Sequence, residues 1–407
     1  MRWISISLSH LSLLAACEVR EPDAVVHPRP EPALLSEPGF QLGGATSRYG
    51  GFGPVGHVRV SPDGGRVFVL EPDESRLTAW TPGGRVLFDL GGPGEDPGDF
   101  TFPWRLHLDD GELCVRDRSR FSCFAEDGTL LRALNIPPAS VTYQGFRLRV
   151  DALLADGSFV GVPRIPFTMR LGLMANDPVD SVPLLRIRQT GDGWLQGPLF
   201  TLNTRGATLL VPGEGLIYLP PHPYSTADRY VADPRAATVL VARPEGPHLR
   251  PGEAELLEVS VEGDTLWRHR LALDPVRPTR ELLEATIEDV VKILGPEGPP
   301  AKLPRDLSEE AAELPVVGVA ALPNPRKSPS RSVIEDALGT PEYLPAVSDL
   351  VLTSSGAIWL GTHERSDTLA AWYVMERGRR ASPPRRVLLP GWFRVMDATE
   401  THVWGVW

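Results

Sequence analysis

The stretch LGGPGEDPGDFTFPW, Leu90 to Trp104, sets four glycines and three prolines around an acidic centre, between two runs with strand character. Glycine permits positive φ values and close backbone approach, and proline supplies rigid extended steps. A chain needs both when it leaves the outermost strand of one sheet and must return to the innermost strand of the next. The residues on either side therefore have to be read as successive small sheets.

Several segments share one grammar. Residues 57–90, 104–134, 148–165 and 349–389 each begin with a short apolar strand and turn at Asp63-Gly64, Asp110-Gly111, Asp156-Gly157 or Ser355-Gly356. A second apolar strand follows. The complete units add a charged turn, a third strand, another glycine turn such as Asp127-Gly128, and a fourth strand. Asx-Gly pairs between alternating apolar runs are strong hairpin signals. Four antiparallel strands recurring at roughly forty residues describe a β-propeller blade, which must stack radially because it cannot bury both faces alone.

The expected fold is all-β, a six-bladed β-propeller with a short helical insertion between blades four and five. The blades are placed at 55–90, 102–136, 147–202, 207–273 and 345–390. The last is a composite of 392–407 with an N-terminal strand near Ala33–Leu42. The insertion spans about 279–340. In TRELLEATIEDVVKILG, Thr279 can cap a helix, Leu283, Ile287, Val290, Val291 and Leu294 form its apolar stripe, and Gly295 ends it. Asp306 to Leu314 is a candidate second helix, with Asp306 and Glu309 as a capping box.

Composition agrees with this reading. Among 407 residues there are 42 prolines and 39 glycines, which argues against long helices. The net charge of -11 sets nucleic acid aside as a partner, since phosphate binding needs clustered Lys and Arg.

At the N-terminus, Arg2 precedes a short apolar run from Ile4 to Leu14, too short to span a bilayer. It runs into Leu14-Ala15-Ala16-Cys17, which resembles the lipobox of bacterial lipoproteins. That resemblance implies lipidation of Cys17, a membrane attachment through it, and location in the bacterial cell envelope. An ordinary signal peptide with a chance cysteine is the alternative. Residues 1–17 are then the signal peptide, 18–38 a Pro- and Glu-rich tether, and 39–407 the propeller. Cys114 and Cys123 flank VRDRSRFS, a hairpin whose pairing places them opposite each other. They either form a cross-strand disulfide or remain reduced and buried.

Gly92 to Phe100, followed by Pro103, resembles the glycine-proline connection of bacterial six-bladed β-propeller proteins related to NHL-repeat propellers. Asp228 to Arg243 and Val261 to Glu284 resemble the fourth blade of that family and the segment after it. The resemblance implies the fold and is nearly silent on activity.

No nucleophile elbow, zincin or phosphate-loop motif occurs, and the nine histidines show no paired metal spacing, so neither a metal nor a cofactor is assigned. Asp63, Glu71, Asp73 and Glu74 flank a strand and read as solvated hairpin tips rather than a calcium loop. Aligned repeats place His57, Trp104, Arg105, Arg147 and Arg394 at strand entries, where a propeller's axis collects residues distant in sequence. Such a group could hold an anionic or sugar-like ligand, or could be packing between blades and pairing with nearby carboxylates. The aromatic loop Tyr218 to Tyr230 is a second candidate, or a structural insertion.

Two functional classes follow. The first is a lipid-anchored envelope protein that binds a small molecule or an envelope protein without catalysis. The second is a metal-dependent hydrolase or lyase of the lactonase-like propeller type. A defective family copy, ending early at HVWGVW, is a third possibility.

Overall fold

The computed structural model describes residues 25–28, 33–34, 55–165, 179–191, 193–207, 209, 211–213, 216–218, 222–294, 329–366, 368–378, 382–391 and 393–406. They form a β-propeller of five blades, with a two-stranded hairpin at the C-terminal end.

Blade one holds His57–Val60, Val67–Glu71, Arg76–Trp80 and Val86–Gly91, paired in that order from the axis outward. Blade two repeats it with Arg105–Asp109, Glu112–Arg116, Arg120–Ala125 and Leu130–Asn135. Blade three has Phe146–Leu153, Phe159–Pro163, Ser181–Thr190 and Gly193–Asn203, with the short strand Thr142–Tyr143 added at its inner edge. Blade four runs through Arg229–Asp233, Thr238–Arg243, Glu253–Ser260 and Thr265–Ala272. Blade five runs through Asp349–Leu352, Ile358–Arg365, Leu369–Met375 and Arg385–Pro390.

The glycine- and proline-rich stretch Leu90 to Trp104 lies between blades one and two. Gly91 has φ +91°, and a Cβ there would stand 2.5 Å from the Phe100 ring and 2.6 Å from the Ser75 carbonyl. The chain folds back so that Phe100 N donates to Gly92 O at 2.9 Å. Phe100 is thereby driven into the core with Leu70, Leu77, Leu106 and Phe124, apolar side chains of both blades. Arg120 of blade two holds the turn by donating to the carbonyls of Glu95, Asp96 and Asp99 at 2.7, 2.6 and 3.0 Å. Asp117 accepts from Thr101 N and Phe102 N at 3.0 and 2.6 Å. These bonds satisfy main-chain groups of the crossing, while Arg120 Nε is buried there without a hydrogen-bond partner.

Four expectations need correction. Among the described residues, the sixth four-stranded blade is not formed. Arg394–Ala398 and Val403–Val406 make a hairpin of two strands instead. Ala33–Leu34 does not complete it. That strand adds in parallel to the outer edge of blade five, with Ala33 opposite Val387 and Leu34 opposite Leu388. The physical reason is that a blade's outermost strand offers a free row of peptide groups, which a passing chain can satisfy. Val25–Val26 does the same on blade four. The remainder of the expected strand, residues 35–42, lies outside the described residues.

Blade four begins at Arg229 rather than at 207, because Leu209 and Val211 pack elsewhere, against Ile287, Val290, Ile334 and Leu338. Glu71, read as a solvated tip, is fully buried beneath Arg76, whose Nη2 lies 2.8 Å away, while Asp73 and Glu74 are exposed.

Among the described residues, two helices lie between blades four and five: α1, Arg280–Leu294, and α2, Arg331–Leu338. Leu282 N donates to Thr279 Oγ1 at 3.2 Å at the start of α1. The candidate helix at Asp306 to Leu314 and the lipobox at Cys17 fall outside the described residues. Among the described residues, no helix is long and apolar enough to cross a membrane. Cys114 and Cys123 face each other on adjacent strands of blade two and are joined by a disulfide.

Candidate ligand site at the propeller axis

The innermost strands surround an axis, and five of them open with a charged or ionisable side chain. These are His57, Arg105, Arg229, Asp349 and Arg394, each the first residue of its strand. Arg147 is the second residue of the corresponding strand in blade three. Residue i+2 in a strand returns to the same face, so Arg59, His107 and Arg149 form a second rung beneath the first.

Contacts across the axis bind these rungs together. Arg59 Nη1 reaches from blade one to the Leu352 carbonyl of blade five, 3.1 Å away, and stands 3.8 Å from Asp397 Oδ2. Arg149 lies 3.0 Å from Asp151 Oδ1 and donates to Tyr230 Oη at 3.2 Å, and Tyr230 in turn donates to Asp151. Arg229 Nε donates to Ser348 O at 3.2 Å. Arg394 Nε is 3.8 Å from Asp349 Oδ2.

Charge decides what this group can do. Burial pushes the pKa of His57 well below its usual value, and Arg59, Arg105, His107 and Arg394 lower it further. Burial likewise takes His107 down to about 3, helped by Arg105 and Arg59. Both imidazoles are therefore neutral at pH 7. Burial raises the pKa of Asp151, but Arg149, Arg105 and the hydrogen bonds from Tyr230 and Arg149 more than offset it and keep it ionised. Tyr230 is pushed upward by burial and by Asp151, so it stays a phenol.

Arg59, Arg149 and Arg394 each have a carboxylate within 4 Å. Arg105 is different. No hydrogen bond or ion pair joins its side chain to another described residue. Beside it, His57 Nδ1 and His107 Nε2 are buried with no hydrogen-bond partner. A half-buried guanidinium flanked by neutral imidazoles suits an oxyanion, because one charge and several N–H donors converge where water is partly excluded.

Of the five residues singled out from sequence, the fold thus brings together His57, Arg105 and Arg394. Trp104 belongs to the packing between strands. The Arg116 guanidinium lies 4.7 Å from the centre of its ring, and Phe102 meets it edge-on at 6.1 Å. Arg147 lies opposite Thr142 at the inner edge of blade three. The residues missed were Arg59, His107, Arg149 and Asp151, and Tyr230 was legible only as the end of the aromatic loop. Period-two alternation along HVRV and RLHLD would have found the first two.

Within the loop Tyr218 to Tyr230, Tyr224 packs edge-on against His363 at 5.7 Å, and Tyr230 is part of the inner strand of blade four. Among the described residues, one trio of His, Cys, Asp or Glu has the closeness of a metal site, namely Glu112, Cys114 and Cys123. Its two sulfurs are bonded to each other, so they offer no thiolate.

No family model matches the chain, and no curated protein does. Solved structures do. One is a dihydro-heme d1 dehydrogenase, NirN, at 12% identity and TM-score 0.28, matched over 86% of this chain and 50% of that one. The chain therefore spans half the length of that protein. A second is the Cps50 (Swd1) β-propeller domain of Myceliophteria thermophila, at 9% identity and TM-score 0.33, over 83% and 71%. A third is a member of the duf4221 family from Bacteroides vulgatus, at 12% identity and TM-score 0.30, over 57% and 71%. Likeness at this level carries no argument about chemistry, and the fold rests on the strand pairings themselves.

Proposed function

We propose that the chain is a binding protein of the bacterial envelope, anchored through Cys17, whose axial mouth takes a small anionic ligand against Arg105, His57 and Arg394. The observation that carries this reading is the Arg105 guanidinium, unpaired among the described residues, beside two neutral imidazoles that each bury a nitrogen without a partner. The anchor is supported by Leu14-Ala15-Ala16-Cys17 following a short apolar run. A carboxylate or phosphate group would pair with Arg105 in bidentate fashion and accept an N–H from an imidazole.

The test is thermal denaturation of the protein with and without citrate or inorganic phosphate, for wild type and for Arg105→Gln/Arg394→Gln. A ligand at a hundred times its Kd stabilises the folded state by about 2.7 kcal/mol, which raises the melting temperature. The double variant, folded and melting as wild type without ligand, loses that rise. An equal rise in both proteins places anion binding elsewhere. For the anchor, Cys17→Ser moves the protein from the detergent phase to the aqueous phase. A variant that stays in the detergent phase rejects it.

A further inference from the structure

Away from the axis, a cavity of about 450 Å3 lies between three segments: His222–Thr226, the blade-four loop Pro244–Gly252, and Leu338–Ala346. Its size falls within the range of small-molecule sites. It shares no residue with the axial group.

Its walls include the rings of Tyr224 and Tyr343, whose hydroxyls are already used. The Tyr224 hydroxyl donates to Thr286 Oγ1 at 2.8 Å. The Tyr343 hydroxyl accepts from Arg277 Nη2 at 2.6 Å, and that guanidinium also stacks on the Tyr343 ring at 4.7 Å. Neither Thr286 nor Arg277 lines the cavity. Both tyrosines therefore present apolar ring surface inward and are held fixed from behind. Burial lowers the pKa of His222, so it adds no charge at pH 7.

Two charged residues line the cavity, Glu245 and Arg250. They sit on one loop, exposed, and neither side chain makes a hydrogen bond or ion pair with another described residue. The loop is pre-formed. Leu249 N donates to Gly246 O at 3.0 Å, Glu253 N donates to Arg250 O at 2.9 Å, and Arg250 N donates to Glu253 Oε2 at 3.0 Å. A site with one charge of each sign on a lining loop and aromatic rings in its walls complements a molecule of the same design. Pre-organisation reduces the ordering cost of binding it.

We propose that this cavity binds a small zwitterion with an apolar ring, of the amino-acid or dipeptide class. Its ammonium pairs with Glu245, its carboxylate with Arg250, and its ring lies against Tyr224 and Tyr343. The proposal stands whether or not the axial mouth binds anions.

Isothermal titration calorimetry at pH 7 tests it with four probes: L-phenylalanine, L-phenylalanyl-L-alanine, N-acetyl-L-phenylalanine and L-phenylalaninamide. One saturable site for at least one zwitterion is expected, with affinity falling about tenfold for each blocked end. Saturation by the dipeptide alone assigns the site to peptides, and saturation by both assigns it to amino acids as well. Arg250→Gln should weaken the zwitterion and leave phenylalaninamide unchanged. Glu245→Gln should weaken the zwitterion and leave N-acetyl-L-phenylalanine unchanged. Both residues are exposed, so the variants should melt as wild type does. No saturable heat up to about 10 mM, or equal binding of the blocked probes, overturns the proposal.

Discussion

Asp397 Oδ2 accepts a hydrogen bond from Val60 N at 2.9 Å, across 337 residues of sequence. Its Oδ1 accepts from Ser354 N at 2.8 Å, and the Ser354 hydroxyl donates to the same carboxylate. The two-stranded C-terminal hairpin therefore does what a sixth blade would do at the axis: it bridges blade five to blade one. The carboxylate is fully buried and also faces Arg59 at 3.8 Å. Removing it strands three main-chain donors, on Val60, Ser354 and Ala398, and takes the carboxylate away from the part-buried Arg59. Asp397→Ala should cost about 3–5 kcal/mol, the penalty for breaking a buried charged network. Urea denaturation monitored by tryptophan fluorescence measures it. A loss below about 1 kcal/mol would mean that the ring is closed by other contacts.

Acid should loosen the fold before its carboxylates titrate. His107 is held at about 3 and His363 at about 4, both chiefly by burial, and each is only 8% exposed. In the unfolded chain a histidine titrates near 6.5. Between pH 6.5 and 4 the unfolded state therefore binds more protons, so stability is full above that window and falls as pH drops through it. Each histidine contributes a slope of up to about 1.4 kcal/mol per pH unit. Melting temperatures at pH 7, 6 and 5 should decline, and a His107→Gln/His363→Gln variant should decline less. Parallel profiles for the two proteins would show that these imidazoles are not the groups responsible.

The disulfide between Cys114 and Cys123 closes a short loop, nine residues apart in sequence, inside a core with Phe121 and Phe159. By the chain-entropy argument such a loop stabilises the fold by about 2–3 kcal/mol. Reduction under native conditions should be slow, because Cys123 is fully buried. After reduction in urea and refolding, the free energy of unfolding should be lower by that amount. Two free thiols at these positions in unfolded, unreduced protein would contradict the bond.

Much of the architecture was legible because local chemistry and tertiary pairing coincide. Asp63, Asp127 and Asp156 each accept a hydrogen bond, at 2.9 Å, from the main-chain nitrogen two residues on. The Asx-Gly pairs that mark the hairpins are thus also the side chains that build them. The site was half legible for a related reason. His57, Arg105 and Arg394 occupy equivalent strand entries, which alignment of repeats exposes, whereas Trp104 precedes its strand and faces Arg116. Asp397 was invisible, since VMDATE gives no hint that its carboxylate is fully buried. The blade count failed because a hairpin and a full blade begin with the same kind of inner strand.

The N-terminal strands had no periodicity to find, being two residues each, yet one of them carries weight. Val25–Val26 runs parallel to the last strand of blade four, with Val25 opposite Arg270 and Val26 opposite Leu271. Val25 is exposed, while Val26 is 5% exposed and packs with Leu256, Trp267 and Leu271. A polar side chain placed there would sit in an apolar cluster without a partner, at a cost of about 1–3 kcal/mol on protein mutational scales. It would also detach the strand and uncover the row of peptide groups on blade four, an edge prone to pairing with another chain. Val26→Asp should therefore lower the melting temperature and raise the aggregate fraction in light scattering. Val25→Asp, on the exposed side of the same strand, should do neither. If both variants behave alike, burial of Val26 is not what holds the strand. If neither changes stability or association, the strand contributes nothing to the fold beyond its own two pairings.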